Sequence, residues 1–275
     1  MDFLVRLHKI DRRVMYVVLA AVTTTILYTT WLRQPIEVTP EVRKAYQTVE
    51  HLPKNKIVLV SIWWGPGTVA ENRPQMEAIV RHCFKRGVPV VILPWDQVGS
   101  NLAYNRVEQV AKEMGKVYGK DWAAFGFRPA ADQAVLGLRS DFQGTFKRDR
   151  FNTPLSEIPV MKNVKNWQQI GAIVETTPSG TVGLWINFIG QPYKIPIIYC
   201  PTGVMVPEGY NFLDAGQIKG MLPGLIGAAK YEYILKQPGF ATRAANALSA
   251  SHVLIILLII LGNLGYIAAG RRENR

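Results

Sequence analysis

The side chains best placed to do chemistry stand in five loops, each of which follows a short apolar run. The loops read WWGPGT, PWDQVGSN, FRPAAD, TTPSGT and CPTG. If the runs are parallel strands, their carboxyl ends meet at one edge of the sheet, where open α/β domains bind ligands in a crevice. The loops also have the Gly, Pro and Ser content that strand ends need in order to turn. The residues predicted to bind a small ligand there are Trp95, Asp96, Arg128, Thr177 and Ser179.

One of these loops has the spacing of a dinucleotide-binding turn. The segment 65–70, GPGTVA, fits the pattern G-x-G-x-x-A after a strand, and Asp96 ends the next apolar run. Pro74, however, predicts a helix that is capped by Asn72 and starts several residues beyond the second glycine, so the turn would not hold a pyrophosphate at the helix N-terminus. Pro66 also removes an amide donor. We therefore expect a structural turn beneath two tryptophans, and we predict no cofactor.

Hydrolytic and metal chemistry have weak support in the sequence. Ser179 is a candidate nucleophile, but the only histidines in the central region, His51 and His82, show no pairing with it, although a serine–lysine arrangement stays open. His82 and Cys83 are adjacent in a predicted helix and point to different faces, so we predict no metal site. Cys83 and Cys200 either form a disulfide or are two small buried side chains, and their placement in a helix and at a strand end favours the second.

Hydrophobic periodicity predicts the elements that position these loops. The run KIVLVSIWW, at Lys56–Trp64, is continuous and β-branched, and it is followed by a helix over Pro74–Lys85 and then by a second apolar run, VPVVILPW. This β-α-β pattern, with strands apolar on both faces, is typical of a parallel sheet covered by helices. We predict an α/β fold, with a mostly parallel sheet of about five strands and flanking helices, between two transmembrane helices. The later strands are expected at 123–127, 171–176 and 195–200, with a helix at 101–117.

Two uncharged apolar segments predict the membrane spans. Residues 14–32 and 253–269 are each long enough to cross about 30 Å of hydrocarbon as a helix. The first lacks a signal-peptide cleavage site, so we expect a retained anchor. The predicted organisation is a tail at 1–13, a span at 14–32, a connector at 33–55, the α/β domain at 56–240, a connector at 241–252, a span at 253–269 and a tail at 270–275.

The charged flanks predict the orientation of both spans. Four basic residues precede the first span and three follow the second, whereas Arg33 stands alone on the inner flanks before Arg43. Both termini are therefore expected in the cytoplasm of a cell membrane protein, with the domain outside. The tail residues that carry this signal are Arg6, Lys9, Arg12, Arg13, Arg271, Arg272 and Arg275.

The run DAGQIKGMLPGLIGAAKYEYIL carries a series of glycines. Gly216, Gly220, Gly224 and Gly227 would share one face if the run were a helix. Such a face lets another backbone approach closely, either in docking onto the domain's own sheet or in self-association near the membrane. These four glycines are the predicted positions of close packing or oligomer contact.

The same run carries a resemblance to a protein family. Residues 216–232, together with His252 and the pair Gly262-Asn263, resemble an uncharacterised family of prokaryotic membrane-anchored proteins with a GxxxGxxxGxxGAAxYE run. The likeness covers about Cys200 to Tyr266, and its most specific element is GAAKYE. Lys230 departs from the acidic residue of that pattern. The resemblance implies a two-span anchored domain and assigns no catalytic residue.

These observations favour a membrane protein without catalysis. Hydrophobic residues make up 48% of the chain and charged residues 19%, and much of the net charge of +12 lies in the tails, so nucleic acid is not expected as a partner. The expected partners are the lipid bilayer and either a second copy or other membrane proteins. We predict an oligomeric scaffold, accessory subunit or sensor in a membrane complex. The alternative is a small-ligand receptor or enzyme that uses the crevice near Asp96.

Overall fold

The computed structural model describes residues 11–29, 36–162 and 164–273, with all their side chains except those of 268 and 271–273. The described residues of 36–241 form one compact unit, and the flanking described segments 11–29 and 242–273 belong to a second. Part of the predicted topology signal lies outside the described residues, namely Arg6, Lys9, Arg33, Arg275 and the last residues of the first span. The side chains of Arg271 and Arg272 are not described either.

The regular elements are named here in chain order. The strands are β1 Ile57–Ile62, β2 Val90–Pro94, β3 Trp122–Ala124, β4 Ile170–Thr177, β5 Ile197–Pro201 and β6 Gly220–Met221. The helices are α1 Arg12–Tyr28, α2 Pro40–Glu50, α3 Val69–Arg86, α4 Gln97–Glu113, α5 Ala131–Ser140, α6 Phe142–Thr145, α7 Val182–Trp185, α8 Gln191–Tyr193, α9 Val206–Asp214, α10 Gly224–Leu235 and α11 Phe240–Glu273. Short 3-10 turns lie at Pro66–Thr68, Leu155–Glu157, Trp167–Gln169 and Gly203–Met205, and a π-helical turn at Ile186–Gly190.

Among the described residues, one helix is long and apolar enough to cross a membrane. This is the segment Phe240–Ile267 of α11. Because α11 is continuous, the predicted connector at 241–252 is helical and belongs to it. The described part of α1 has 17 residues, fewer than the 20 or so that a spanning helix needs. A second crossing stays a prediction.

In the flanking unit, a threonine of α1 bonds to α11. The Thr23 hydroxyl lies 2.7 Å from the Leu19 carbonyl and 2.9 Å from the Ser251 hydroxyl, and the Ser251 hydroxyl lies 2.8 Å from the Ala247 carbonyl. Each hydroxyl has one proton, so one of the two donates to a carbonyl of its own helix while the other donates across to its neighbour. Both kinds of bond are typical of hydroxyl groups in helices that pack in lipid.

The unit 36–241 contains a six-stranded, fully parallel sheet with the order β3-β2-β1-β4-β5-β6. The predicted α/β class and parallel sheet are confirmed, with one strand more than expected. β6 has two residues and no apolar run, so hydrophobic pattern did not reveal it. The chain adds β2 and β3 on one side of β1 and then crosses back to add β4, β5 and β6 on the other, which makes the sheet doubly wound.

Helices cover both faces of this sheet. All six residues of β1 are buried, and they alternate: Val58, Val60 and Ile62 face one core, and Ile57 and Leu59 face the other. The first core lies beneath α2, α3, α4 and α10, and the second beneath α5, α6 and α7. Since each fully buried aliphatic side chain contributes about 1.5–3 kcal/mol, the two cores supply most of the driving force for folding.

The helix α3 begins earlier than the sequence predicted. The 3-10 turn at Pro66–Thr68 leads directly into the helix at Val69, and Gly87 ends it with φ of 70°. Asn72 and Pro74 therefore lie inside the helix, and the predicted N-cap role of Asn72 is wrong. The Asn72 side chain is fully buried and bonds to other elements, as described below.

The glycine series does not form one helix face, so that prediction is wrong. Gly216 lies in a turn with φ of 68°, Gly220 belongs to β6, and only Gly224 and Gly227 lie in α10. Close approach does occur at two of these positions, within the domain itself. A Cβ at Gly220 would lie 2.3 Å from the amide nitrogen of Ala45 in α2, and one at Gly227 would lie 2.4 Å from a main-chain carbon.

The two cysteines are free thiols and are fully buried. Cys83 packs in the core beneath α3, and Cys200 packs in the same core from β5. Burial raises the pKa of the Cys83 thiol to about 12, so it is an unreactive neutral group at physiological pH. The sequence left open a disulfide or two small buried side chains, and in the structure Cys83 and Cys200 are small buried side chains.

Gly220→Ala is expected to destabilise the domain, because the added methyl group would overlap the α2 backbone and force α2 away from β6. We expect the free energy of unfolding to fall by about 2–3 kcal/mol, measured by urea denaturation of the full chain in detergent. The control is Gly67→Ala, where a Cβ would meet no atom within 4 Å, and a change within about 0.5 kcal/mol is expected. Equal stability of the two variants would show that α2 does not approach β6 this closely.

Candidate functional site at the carboxyl edge of the sheet

The candidate site lies where β1 and β4 end side by side. These neighbouring strands leave the sheet in opposite directions, since the connections from β1 and β4 lead to helices on opposite faces. Such a switch point opens a crevice outside the carboxyl ends of the strands. The loops after β1, β4 and β5 surround it, and they include the predicted segments WWGPGT, TTPSGT and CPTG.

Two buried amides of α3 bind the strand ends on one side of the crevice. Asn72 Nδ2 donates to the Cys200 carbonyl at 3.2 Å and to the Gln75 side chain at 2.9 Å. Gln75 Nε2 lies within hydrogen-bond distance of three carbonyls, at 2.8 Å from Pro201, 2.7 Å from Leu222 and 3.2 Å from Gly224. We call Asn72 and Gln75 the amide clamp, because they join α3 to β5, to the end of β6 and to the start of α10.

On the other face, indoles and hydroxyls surround a buried carboxyl group. Ser61 of β1 lies opposite Glu175 of β4 in the sheet register. The Trp95 indole donates to Ser61 Oγ at 2.9 Å, and the Trp185 indole donates to Glu175 Oε2 at 2.8 Å. Thr181 Oγ1 donates to Glu175 Oε1 at 2.6 Å. We call this set the indole–carboxyl network.

The indole–carboxyl network extends toward the surface through three hydroxyl groups. Thr181 Oγ1 lies 2.9 Å from Thr177 Oγ1, and Thr177 Oγ1 lies 3.1 Å from Ser179 Oγ. Ser179 is exposed, whereas Thr177 and Glu175 are fully buried. A continuous chain of hydrogen-bonding groups therefore runs from solvent to the buried carboxyl.

Burial keeps the Glu175 carboxyl group neutral near physiological pH. Removal from water raises its pKa to about 8, and the donors Ser61, Thr181 and Trp185 offset only part of this effect. A carboxylic acid that holds its proton at pH 7 can exchange it with a ligand or along the hydroxyl chain. A pKa shift of this kind is found both at functional sites and in structural networks.

The structure distributes the five predicted ligand-binding residues over three places. Trp95, Thr177 and Ser179 belong to the indole–carboxyl network. Asp96 is the N-cap of α4, where its side chain accepts from the Gly99 amide at 2.6 Å. Arg128 is exposed and lies over the Phe146 ring, with its guanidinium carbon 5.3 Å from the ring centroid.

The early start of α3 overturns one reason for rejecting a dinucleotide turn. The glycine turn does lead directly into the helix N-terminus. Pro66 still lacks an amide, and the first turns of α3 and α4 are occupied by the domain's own acids. Glu71 accepts from the Gly203 amide at 2.8 Å, and Asp96 caps α4. The Asp96 carboxylate thus occupies the amide that a phosphate would use at α4, and the negative charge of Glu71 in the first turn of α3 disfavours a phosphate there.

His82 is held in a buried structural cluster away from this edge. Its Nδ1 lies 2.7 Å from the Tyr231 hydroxyl and its Nε2 2.8 Å from the Glu50 carboxylate, and its ring stacks on Tyr46 with a centroid distance of 4.4 Å. Burial lowers the pKa of His82 despite the neighbouring carboxylate. The cluster joins α2, α3 and α10. Among the described residues, no group of three His, Cys, Asp or Glu side chains is placed to hold a metal.

Several buried polar atoms at the carboxyl edge have no hydrogen-bond partner among the described residues. They are Thr68 Oγ1, Asn72 Oδ1, Tyr199 Oη and Thr202 Oγ1. Buried polar groups in proteins are almost always satisfied by protein, water or ligand. Water molecules or a small hydroxyl- or amine-bearing ligand would satisfy these atoms.

Sequence reasoning missed the residues that organise this edge. Ser61 and Glu175 interrupt the runs IVLVSI and IGAIVETT, which are otherwise apolar or end in threonine. A polar residue inside a strand that is buried on both faces needs a hydrogen-bond partner. The presence of Ser61 and Glu175 within apolar runs was therefore the sequence signal that could have indicated a buried polar network. Asn72 and Gln75 gave no such signal, because polar residues at a helix start usually face solvent.

The fold and the site define a doubly wound α/β domain with a polar switch-point crevice. Comparison with protein-family models, with curated proteins and with solved structures found no match to the chain. The resemblance to a membrane-anchored family stays a prediction.

Glu175→Gln is expected to remove a pH dependence of stability. The carboxyl pKa is about 8 in the folded domain and 4.5 in the unfolded chain, so the folded state holds a proton that the unfolded state has released between these values. The free energy of unfolding of the wild type should therefore fall as pH rises from about 4.5 to 8, which includes the range of about 6.5 to 8 where it is measured, and level off above. The variant, which carries a neutral amide throughout, should lack this fall in urea denaturation.

The control for this measurement is Asp132→Asn, which changes an exposed acid after β3. Its stability should follow the wild-type pH dependence. If the Glu175→Gln and wild-type curves run parallel across this range, the carboxyl is already ionised below pH 6.5.

Proposed function

We propose that the protein is a two-pass membrane-anchored α/β module that acts without catalysis, as a sensor or accessory subunit of a membrane complex. Both termini are cytoplasmic and the domain is outside the cell membrane. The observation that carries the proposal is the position of α10, which is bonded to both ends of the domain and to the carboxyl edge.

The helix α10 holds the two segments where the domain begins and ends. Near the start, Lys230 Nζ lies 3.5 Å from Thr39 Oγ1, at the N-cap of α2. Near the end, the Glu232 carboxylate accepts from the amides of Gly239 at 2.8 Å and Ala241 at 3.1 Å. Two residues of one helical turn thus hold both connections to the flanking segments.

The first turn of α10 is bonded to the crevice. The amide clamp binds the Gly224 carbonyl, and a Cβ at Gly224 would lie 2.7 Å from the Glu71 carboxylate, which itself binds the loop after β5. A helix of 12 residues is a rigid rod about 18 Å long. A change in the crevice loops would move this rod and, with it, the two connections.

The outer face of α10 carries two exposed apolar residues. Ile226 is 42% exposed and Tyr233 is 57% exposed, and seven residues separate them, so they lie on the same side of the helix. Aromatic and aliphatic residues exposed together are typical of protein–protein contacts. This face is the contact we propose for a second copy or for another membrane protein.

Photo-crosslinking in native membranes tests this proposal. A photoreactive amino acid at position 226 or 233 of the full chain should form a crosslink to one defined membrane protein or to a second copy. The same amino acid at Val98 or Leu136, which are 55% and 43% exposed on α4 and α5, should not. Crosslinks at the control positions alone, or at none of the four, would contradict a partner at α10.

The topology is tested by protease added to intact spheroplasts. The basic flanks predict that the domain is cleaved from outside while both tails stay protected. Tags on the two termini report protection, and lysed spheroplasts are the control in which all segments become accessible. Protection of the domain before lysis and its cleavage afterwards would reverse the orientation.

A second candidate function, a small-ligand receptor or enzyme at the carboxyl edge near Asp96, is favoured by the neutral Glu175 and its hydroxyl chain to solvent. A compound that raises the melting temperature of the wild type but not of Glu175→Gln would support this alternative. Turnover of such a compound would then separate an enzyme from a receptor.

A further inference from the structure

A lysine stands within five residues before each of β1 to β6. Lys56, Lys120, Lys194 and Lys219 lie within three residues of their strands, whereas Lys85 lies in the last turn of α3 and Lys165 lies five residues before β4. Since all six strands are parallel, their amino ends lie at the same edge, opposite the crevice. Together with Lys54, these residues form what we call the lysine edge.

The charges of the lysine edge are largely uncompensated. Lys54, Lys120, Lys194 and Lys219 are exposed, and within the described part of the chain none of them forms an ion pair. Asp121, which follows Lys120 directly, is already bound by the Val117 amide at 2.9 Å and lies 3.9 Å from Lys116. Residues 36–241 contain 23 Lys and Arg against 17 Asp and Glu, a surplus of six. Since these positive charges are not balanced by nearby acidic side chains, their counter-ions must come from outside the domain.

Two grooves open along the lysine edge, each with a volume of about 360 Å³. Lys54 and Lys120 line the first groove, together with Asn55. Lys56 and Lys194 line the second. Lys56 also donates to the Gln168 carbonyl, and Gln168 lines the same groove. Each groove therefore presents two ammonium groups.

The dimensions of the edge fit an extended chain of anions. Six strands spaced about 4.8 Å apart span about 24 Å from β3 to β6. A lysine at the entry of every strand places positive charge along this whole length. A single small anion would use two of these lysines, whereas a linear polymer would meet them all.

We propose that the lysine edge binds a linear phosphate-bearing polymer outside the membrane. Lysine is a compact, mobile point charge that binds phosphate without a fixed orientation, which suits a repeating chain. Lysine is depleted in the cores of protein–protein interfaces, so an acidic protein is the poorer match. Both connections to the membrane segments are held on α10, while the edge runs across the entire sheet. This inference is independent of the proposed α10 contact.

The test uses the full chain in nanodiscs of neutral lipid, with long-chain inorganic polyphosphate as the probe. Binding is measured by fluorescence anisotropy over a series of salt concentrations. The triple variant Lys54→Gln, Lys120→Gln, Lys194→Gln should weaken binding about tenfold or more. It should also reduce the slope of log K against log salt by about 2, as expected for the loss of three contacts to a single-stranded polyanion.

The matched control removes the same charge elsewhere, at exposed positions beyond the carboxyl end of β3 and after α6. It is the triple variant Arg128→Gln, Lys147→Gln, Arg148→Gln, which should bind polyphosphate within about twofold of the wild type. Circular dichroism melting curves check that both variants are folded. An equal loss in the two triples would show attraction by net charge alone, and that result overturns the proposal.

Two further probes identify the occupant. Polyglutamate that binds as tightly as polyphosphate would assign the edge to an acidic protein. Vesicles containing anionic lipid are the second probe. If the triple lysine variant binds these vesicles more weakly than the wild type does but binds polyphosphate equally well, the edge is assigned to the bilayer surface. Either result overturns the proposal, and so does a wild type that binds no polyphosphate at about 0.15 M salt.

Discussion

The amide clamp is the contact on which the carboxyl half of the domain depends. Asn72 and Gln75 supply donors to the ends of β5 and β6 and to the first residue of α10, all of which are buried. A buried carbonyl without a partner costs about 1–3 kcal/mol, so these strand ends can be buried only because α3 carries its amides into them. The clamp thereby sets the position of α10, and α10 in turn holds both ends of the domain.

The opposite face of the same edge is organised by a buried acid. Glu175 would be costly as an isolated charge, and the domain accommodates it as a neutral acid between an indole and a hydroxyl group. An amide clamp on one face and an indole–carboxyl network on the other leave the loops between them anchored at their bases. The switch point therefore combines a rigid floor with exposed tips such as Ser179 and Gly180.

Much of the fold follows from hydrophobic pattern alone. β1 and β2 are runs of mostly β-branched apolar residues, and β4 and β5 are largely apolar; burial on both faces is the physical reason for that pattern. What pattern does not reveal is set by tertiary contacts. β6 exists because Gly220 lets α2 approach, and α3 starts at Val69 although Asn72 has the typical residue type of a cap. At the site, their position in loops after strands indicated Trp95, Thr177 and Ser179. Asp96, which has the same kind of position, instead caps α4. The partners of Glu175 come from distant segments that only the folded chain brings together.

The attachment of both domain ends to α10 has a consequence for the connectivity of the chain. Thr39 and Ala241 contact side chains that are two residues apart on one helix, so both ends of the α/β unit are attached within one turn of α10. Domains whose two ends lie on one element tolerate insertion into other chains and circular permutation better than domains whose ends lie far apart, because a linker can join the old termini. We therefore expect the unit, with its ends joined by a linker and a new break at an exposed loop, to keep the same sheet.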